Sequence, residues 1–307
     1  MSESITFSGS TLDRSSNQRR DAEWIASHLG DDETRFLPMW KLNPLVKLGE
    51  QRSLAWAKRE LFDDIEPMPT PVLLGIDGDV AHFAVDVSAV DDPEVAFGVG
   101  DVARFEELRG VVPQLSYSEA SIAAHARSLT DWHARHGYCA ACGSATVPES
   151  GGANRRCPDC AVEHFPRTDP VAIAVIGRGD QCLLGRGPGW PNTMYSALAG
   201  FIEPGETLEE AVRREVREES GIDVGDVYYV KSQPWPFPSS LMIGCIGEAT
   251  SDEITVDFGE LEDVKWFSLE TIQTALDGQS SELFIPPPFA VAHHLVRAWV
   301  EERAGTA

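Results

Sequence analysis

An α/β fold in three parts is what this 307-residue chain predicts, and three observations carry that expectation. From residue 171 onward, apolar runs of strand type (VAIAVIG, CLLG, VYYV, LMIGCIGEA, EDVKWFSL) surround one amphipathic helix, and a further helix is expected near Ala290 to Glu302. Two Cys-x-x-Cys pairs mark a small module between residues 137 and 165. Ahead of them, residues 1–115 carry hairpin and helix signals of their own and read as a smaller α+β domain.

The amphipathic helix is the most specific element. Thr207, with Glu210 three residues on, reads as a capping box, and Gly221 supplies the left-handed residue that ends a helix, so the helix is expected over 208–220. Glu215, Glu218 and Glu219 stand at i, i+3 and i+4 and share a face, while Leu208, Val212 and Val216 form the adjoining apolar stripe. Crowded carboxylates in a water-poor place need a cation, and an oxygen-only ligand set points to Mg²⁺ or Mn²⁺. The ordinary alternative for an REVREE run is a solvated surface helix. Gly200, Glu206 and Gly221, at fixed spacings around the run, argue against it.

Gly200 to Ile222, GFIEPGETLEEAVRREVREESGI, resembles the signature box of the Nudix hydrolases, and every specified position matches. The resemblance implies an α/β/α sandwich for residues 166–307, with Glu215, Glu218 and Glu219 binding catalytic metal and Glu206 and Arg214 shaping the loop. It also implies that Glu260, in FGELEDVKWF, completes the metal site; Glu248 is the competing candidate.

Cys139 and Cys142, then fourteen residues, then Cys157 and Cys160 have the spacing of a closed, four-thiolate structural zinc site. Gly143 eases the first knuckle turn. Disulfides are the alternative, but no secretory signal precedes the pairs. Cys182 and Cys245 lie in apolar runs and read as small buried hydrophobes.

Prolines 234, 236 and 238 in Ser232–Ser240 (SQPWPFPSS) lock φ and remove three donors, so the segment must be a sheet edge or a rigid extended loop. A polyproline ligand for a partner domain is the other reading. Following a Nudix box, SQPWPFP resembles the hallmark of the NADH pyrophosphatases, some of which also remove NAD caps from RNA 5′ ends. The similarity covers roughly residues 137 to 300. It implies hydrolysis of NAD(H) to NMN(H) and AMP, with Gln233, Pro234, Trp235, Pro236, Phe237, Pro238, Ser239 and Ser240 lining the dinucleotide pocket. Phe201 and Phe165 match aromatic positions that sandwich adenine, Phe165 coming from the other protomer of a homodimer, and Ala292 meets the adenine through its backbone. From the residues alone, Phe165, Phe201 and Ala292 would read as core packing. Two rival functions are a Nudix pyrophosphatase for a relative of the substrate such as ADP-ribose, and a non-catalytic Nudix and zinc-ribbon binding protein. Binders of that kind typically lose box glutamates, and none is missing here.

Composition sets limits. A formal net charge of −24 argues against broad, sequence-independent nucleic-acid binding, so RNA would be engaged mainly at its end. No apolar run approaches membrane-spanning length and the N-terminus lacks a signal region, so a soluble cytoplasmic protein with no membrane partner is expected. Residues 116–136 read as a helix connecting the N-terminal domain to the ribbon, and its His125, His133 and His136 as solvated or satisfied side chains.

Overall fold

The computed structural model describes residues 4–305, and the chain divides into two compact units. The first comprises residues through Thr168 together with Trp235–Ser239; the second comprises Asp169–Pro234 and the chain from Ser240.

The first unit is built on a six-stranded sheet of β1 (Arg35–Trp40), β2 (Asn43–Lys47), β3 (Ser53–Leu54), β4 (Val72–Asp77), β5 (Val80–Asp86) and β6 (Ala103–Phe105). Its order is β3-β2-β1-β5-β4, with β6 on β2 and β1 parallel to β5. The predicted DG hairpin joins β4 and β5, Asp77 pairing with Val80 and Gly78 taking φ +59°. Helix α1 (Ala22–Leu29) starts at Asp21, whose side chain accepts from the Glu23 and Trp24 amides; α2 (Pro93–Ala96) and α3 (Leu108–Val111) are single turns.

Helix α4 (Tyr117–Arg135) is the element expected as a connector. It packs against β1, β4 and β5 and buries Ala120, Ala123, Ala126 and Leu129 in the first unit's core. Two of its three histidines are engaged locally. His133 lies 2.8 Å from the Gly152 carbonyl and His136 2.9 Å from the Trp132 carbonyl.

The ribbon that follows is a three-stranded antiparallel sheet of β7 (Val147–Glu149), β8 (Asn154–Arg156) and β9 (Glu163–His164). Its two cysteine knuckles share one turn geometry. Gly143 donates to the Cys139 carbonyl and Ala161 to that of Cys157, both 2.9 Å, and both residues sit at positive φ, +81° and +60°. Alanine at the second position accepts a strain of roughly 1–2 kcal/mol that glycine avoids at the first.

The second unit is a mixed sheet of β10 (Asp169–Arg178), β11 (Gln181–Arg186), β12 (Leu198–Phe201), β13 (Val224–Trp235), β14 (Ser240–Ala249) and β15 (Asp263–Ser268). The order is β13-β14-β10-β11-β15, β12 also pairing with β10, and β10 and β14 run parallel. Helix α5 (Leu208–Ser220) packs on β10 and β12, and α7 (Val291–Gly305) on β10 and β14, with α6 (Leu269–Leu276) against α7. Alternation along β10 separates the layers. Ala172, Ala174 and Ile176 share a core with Val212 and Val216 of α5, whereas Gly177, on the opposite face, abuts Trp299 of α7. Helices therefore cover both faces, giving the expected α/β/α sandwich. The proline-rich segment begins on β13, an edge strand, as the missing donors require.

Candidate active site and zinc centre

Helix α5 starts and stops where its sequence dictates. The Thr207 hydroxyl accepts from the Glu210 amide at 3.3 Å while the Glu210 carboxylate accepts from the Thr207 amide at 2.8 Å, and Gly221 closes the helix at φ +73°. Leu208, Val212 and Val216 face the core, which fixes the helix's rotation and turns Glu215, Glu218 and Glu219 toward the end of β12.

The three carboxylates differ in environment. Glu218 is exposed, Glu215 half-buried and Glu219 buried. Gly200 of β12 makes room for Glu215; a Cβ there would lie 1.9 Å from its carboxyl carbon. Arg214 organises the loop ahead of the helix. It grips Glu206 through Nε at 2.6 Å and Nη2 at 2.8 Å, donates to the Phe201 carbonyl at 2.9 Å, and reaches Glu215 at 2.8 Å and Glu218 at 3.0 Å. Glu206 also accepts from the Glu203 amide at 3.0 Å, and these bonds, Arg214 first, hold its carboxyl down at about 2. The Glu206–Arg214 pair is thus a fixed clasp across the loop.

Glu260 joins the set from a different element. It sits in a turn ahead of β15 that hangs on the end of α5: the Asp257 amide donates to the Glu219 carbonyl at 3.2 Å, and the Asp257 carbonyl accepts from Glu260 and Leu261 at 3.2 and 3.0 Å. The Asp257 carboxylate closes the turn by accepting from the Gly259 amide at 2.8 Å. Asp257 was not singled out in the sequence, although an Asp two residues before a Gly is an ordinary Asx-turn signal.

Burial, with Glu215 and Glu260 adding to it, pushes the Glu219 carboxyl up to about 8, and burial likewise raises Glu215. Glu219 Oε2 is buried without a hydrogen-bond partner. An oxygen-only set whose members raise one another's carboxyls, with one orphaned acceptor, has the chemistry that a hard divalent cation would satisfy. Glu215, Glu219 and Glu260, with Glu218 at the exposed edge, are the residues that would hold it. Glu248 is engaged elsewhere, in an ion pair with Arg303 of α7.

The substrate-pocket residues expected from the sequence fall into separate environments. Phe201 is 58% exposed at the end of β12, and Phe165 is 65% exposed in the first unit. Ala292 is buried in α7. Gln233 is fully buried, its amide nitrogen donating to the Phe289 carbonyl and its oxygen accepting from the Val291 amide, both at 2.8 Å, so it anchors the start of α7. Trp235 and Phe237 pack edge-on to Phe7 in the first unit, with centroids 5.9 and 6.0 Å away. The Arg109 guanidinium lies 4.2 Å from the Phe237 ring, and Arg127 donates to the Pro236 carbonyl at 2.8 Å. Pro236 is buried, Pro234 and Pro238 are exposed, and Ser239 and Ser240 are half-buried.

In the ribbon, the Sγ atoms of Cys139, Cys142, Cys157 and Cys160 all lie within 4.8 Å of one another, and all six cysteines are free. The 3.5 Å separations Cys139–Cys160 and Cys142–Cys157 are close to the edge of a tetrahedron with bonds of about 2.3 Å, so the cluster fits a structural zinc. His164 Nε2 lies 3.3 Å from Cys139 Sγ, a neighbour the sequence reading did not include. Cys182 and Cys245 are buried in the second unit's core, as expected.

Comparison with known proteins agrees with this layout. Family models described as NADH pyrophosphatase-like rudimentary NUDIX domain, NADH pyrophosphatase zinc ribbon domain and NUDIX domain match residues 33–132, 134–165 and 166–286. The NAD-capped RNA hydrolase NUDT12 of Homo sapiens is 38% identical over 96% of this chain and 73% of its own length. The chain belongs to the Nudix hydrolases, in the NADH pyrophosphatase and NAD-capped RNA hydrolase family. Other relatives include an NAD-capped RNA hydrolase of Schizosaccharomyces pombe, 36% identical over 95% of this chain and 92% of its own, and the mitochondrial NAD(P)H pyrophosphatase NUDT13 of Mus musculus, 41% identical over 65% and 60%. The first unit, in which the sequence showed no chemistry, thus contains a rudimentary Nudix domain ahead of the catalytic one. No helix among the described residues is long and apolar enough to cross a membrane.

Proposed function

We propose that this protein hydrolyses the diphosphate of NAD(H) to NMN(H) and AMP, and cleaves the same bond in NAD-capped RNA to leave a 5′ monophosphate. The observation that carries this reading is that Glu215, Glu218 and Glu260 all act electrostatically on the buried Glu219, in a chain 38% identical over 96% of its length to an NAD-capped RNA hydrolase.

Hydrolysis needs a nucleophilic water and a sink for charge developing on the phosphoryl oxygens. Mg²⁺ or Mn²⁺, when bound, would supply both by acidifying water and neutralising those oxygens. The water oxygen attacks one phosphorus, the bridging oxygen leaves with the other phosphate, and the proton passes to a carboxylate of Glu218, Glu219 or Glu260 before reaching solvent. Arg214 and Glu206 keep the loop from relaxing away from the cluster. Asp257 keeps Glu260 turned toward it.

Phe201, exposed beside the box, offers a face for adenine, and Phe165 offers the second from the partner protomer of a homodimer. Pro234 and Pro238, exposed, with Ser239 and Ser240, half-buried, are the accessible part of the proline segment left for substrate. The dimer predicts loss of turnover on dilution to monomer, which light scattering alongside assay detects; a fully active monomer overturns it.

The deciding experiment is a substrate panel of NADH, NAD, ADP-ribose, nucleoside triphosphates and NAD-capped RNA with Mg²⁺ or Mn²⁺, with products separated by chromatography. NAD(H) and capped RNA should yield AMP or a 5′-monophosphate end most efficiently. A preference for ADP-ribose would assign another Nudix substrate, and no turnover at all would leave a binding protein.

A further inference from the structure

Residues Arg14 to Arg20, RSSNQRR, hold three arginines and no acid in a chain of formal charge −24, and they precede every segment matched by a family model. The flanking carboxylates are committed to the backbone: Asp13 accepts from the Ser15 amide at 2.8 Å, and Asp21 caps α1. Among the described residues, no carboxylate lies within ion-pair distance of Arg14, Arg19 or Arg20.

This cationic stretch borders a cavity of about 600 Å³ within the first unit, whose walls include Ser16, Arg19, Arg20, Asn154, Glu163 and Phe165. Arg19 is 92% buried; one Nη donates to the Leu73 carbonyl, and Nε has no partner. Asn154 is 95% buried, its nitrogen donating to Glu163 at 3.3 Å and its Oδ1 unsatisfied. Glu163, the wall's single acid, faces Arg156 at 3.8 Å in an ion pair. Arg20 is exposed and makes no side-chain hydrogen bond or ion pair among the described residues. The buried Arg19 Nε–H, which has no acceptor, and the exposed Arg20 guanidinium beside it form a place where an anion is favoured; Asn154 Oδ1, itself an acceptor, has no part in that role. The cationic field is felt nearby: burial, then Arg14 and Arg19, push the His125 imidazole down to about 3.

Phe165 on the rim supplies the identity of the anion. In NAD-capped RNA the adenosine carries, on its 3′ oxygen, the phosphodiester that leads into the RNA body, and free NAD(H) has a hydroxyl there. We infer that the cavity beside Phe165, through Arg19 and Arg20, binds the first phosphodiester downstream of the cap, and so distinguishes capped RNA from the free dinucleotide. The inference rests on the decapping reading and on Phe165 stacking against adenine. It reconciles an acidic chain with an RNA substrate, because contact is confined to one or two phosphates instead of a broad basic face.

The test is Arg20→Glu, on an exposed side chain, with Arg20→Lys as the conservative control. For a short NAD-capped oligoribonucleotide, Arg20→Glu should raise KM roughly tenfold or more with kcat little changed, a scale set by one charge-assisted phosphate contact. NADH kinetics should stay at wild-type values and Arg20→Lys should restore capped-RNA binding. Fluorescence anisotropy of a labelled, uncapped 5′-monophosphate RNA reads binding independently of turnover, and the variant should bind more weakly with a shallower salt dependence. Equal effects on NADH and capped RNA, or unchanged RNA affinity by anisotropy, would overturn the inference. If wild-type protein binds the RNA through Arg20 but cleaves neither substrate, the phosphate site stands and the decapping reading fails.

Discussion

The Glu215 carboxylate lies in the volume that a side chain at Gly200 would need, with the carboxyl carbon 1.9 Å from where a Cβ would be. Glycine at this point of β12 is a packing requirement of the Glu215 carboxylate. Its backbone is not in the left-handed region.

Gly200→Ala should therefore displace Glu215 and cost roughly 100-fold or more in turnover, with weaker activation by Mn²⁺. Metal titration of activity checks it. Wild-type kcat and metal affinity in Gly200→Ala would show that Glu215 does not contribute.

Glu219→Gln should abolish detectable turnover and change the pH dependence of stability. In the folded, metal-free protein burial holds the Glu219 carboxyl at about 8, whereas an unfolded carboxyl titrates near about 4.3. Between these values the folded chain keeps a proton that the unfolded chain has lost, so this residue's contribution falls as pH rises. Metal-free wild-type protein should lose stability from pH 5 to 8, added Mn²⁺ should restore more at pH 8 than at pH 6, and Glu219→Gln should flatten both trends. Calorimetry over that range, with and without metal, is the measurement; identical slopes for the two proteins would contradict it.

Glu260→Gln should impair turnover severely, and Glu248→Gln should act mainly on stability because it breaks the pair with Arg303. Comparing kcat with melting temperature separates them. A larger kcat loss for Glu248→Gln would reverse the assignment.

The ribbon should carry about one zinc per chain that survives removal of the activating metal. Cys157→Ser should release it and loosen residues 137–165, since thiolate coordination and folding of so small a sheet are linked. Elemental analysis and limited proteolysis read the two effects; active protein without zinc would exclude the site.

Local signals in the sequence carried far, and nonlocal ones did not. The span of α5 is set by Thr207, Glu210 and Gly221, all within reach of the helix itself, so sequence alone bounds it at 208–220. The i, i+3, i+4 spacing likewise puts Glu215, Glu218 and Glu219 on one face. It does not say that Glu219 is buried and Glu218 exposed, which depends on β12 packing alongside. Helix α4 was legible as a helix from Ser116 and its pattern, but its place in the first unit's core depends on strands as distant in sequence as β1, which ends at Trp40. For Trp235 and Phe237, conformation could be read from the neighbouring prolines. The rings' partner, Phe7, could not, because no spacing rule links residues so distant in sequence.

That last pairing bears on how the molecule can be dissected. Residues 235–239 belong to the first unit yet are encoded within the second. No single cut of the gene separates the two: a fragment starting at residue 169 carries Trp235 and Phe237 without Phe7, and one ending at 168 leaves Phe7 without its ring partners. Each half produced this way exposes aromatic surface that the intact chain covers, so sticky, poorly soluble fragments are the expected product of truncation.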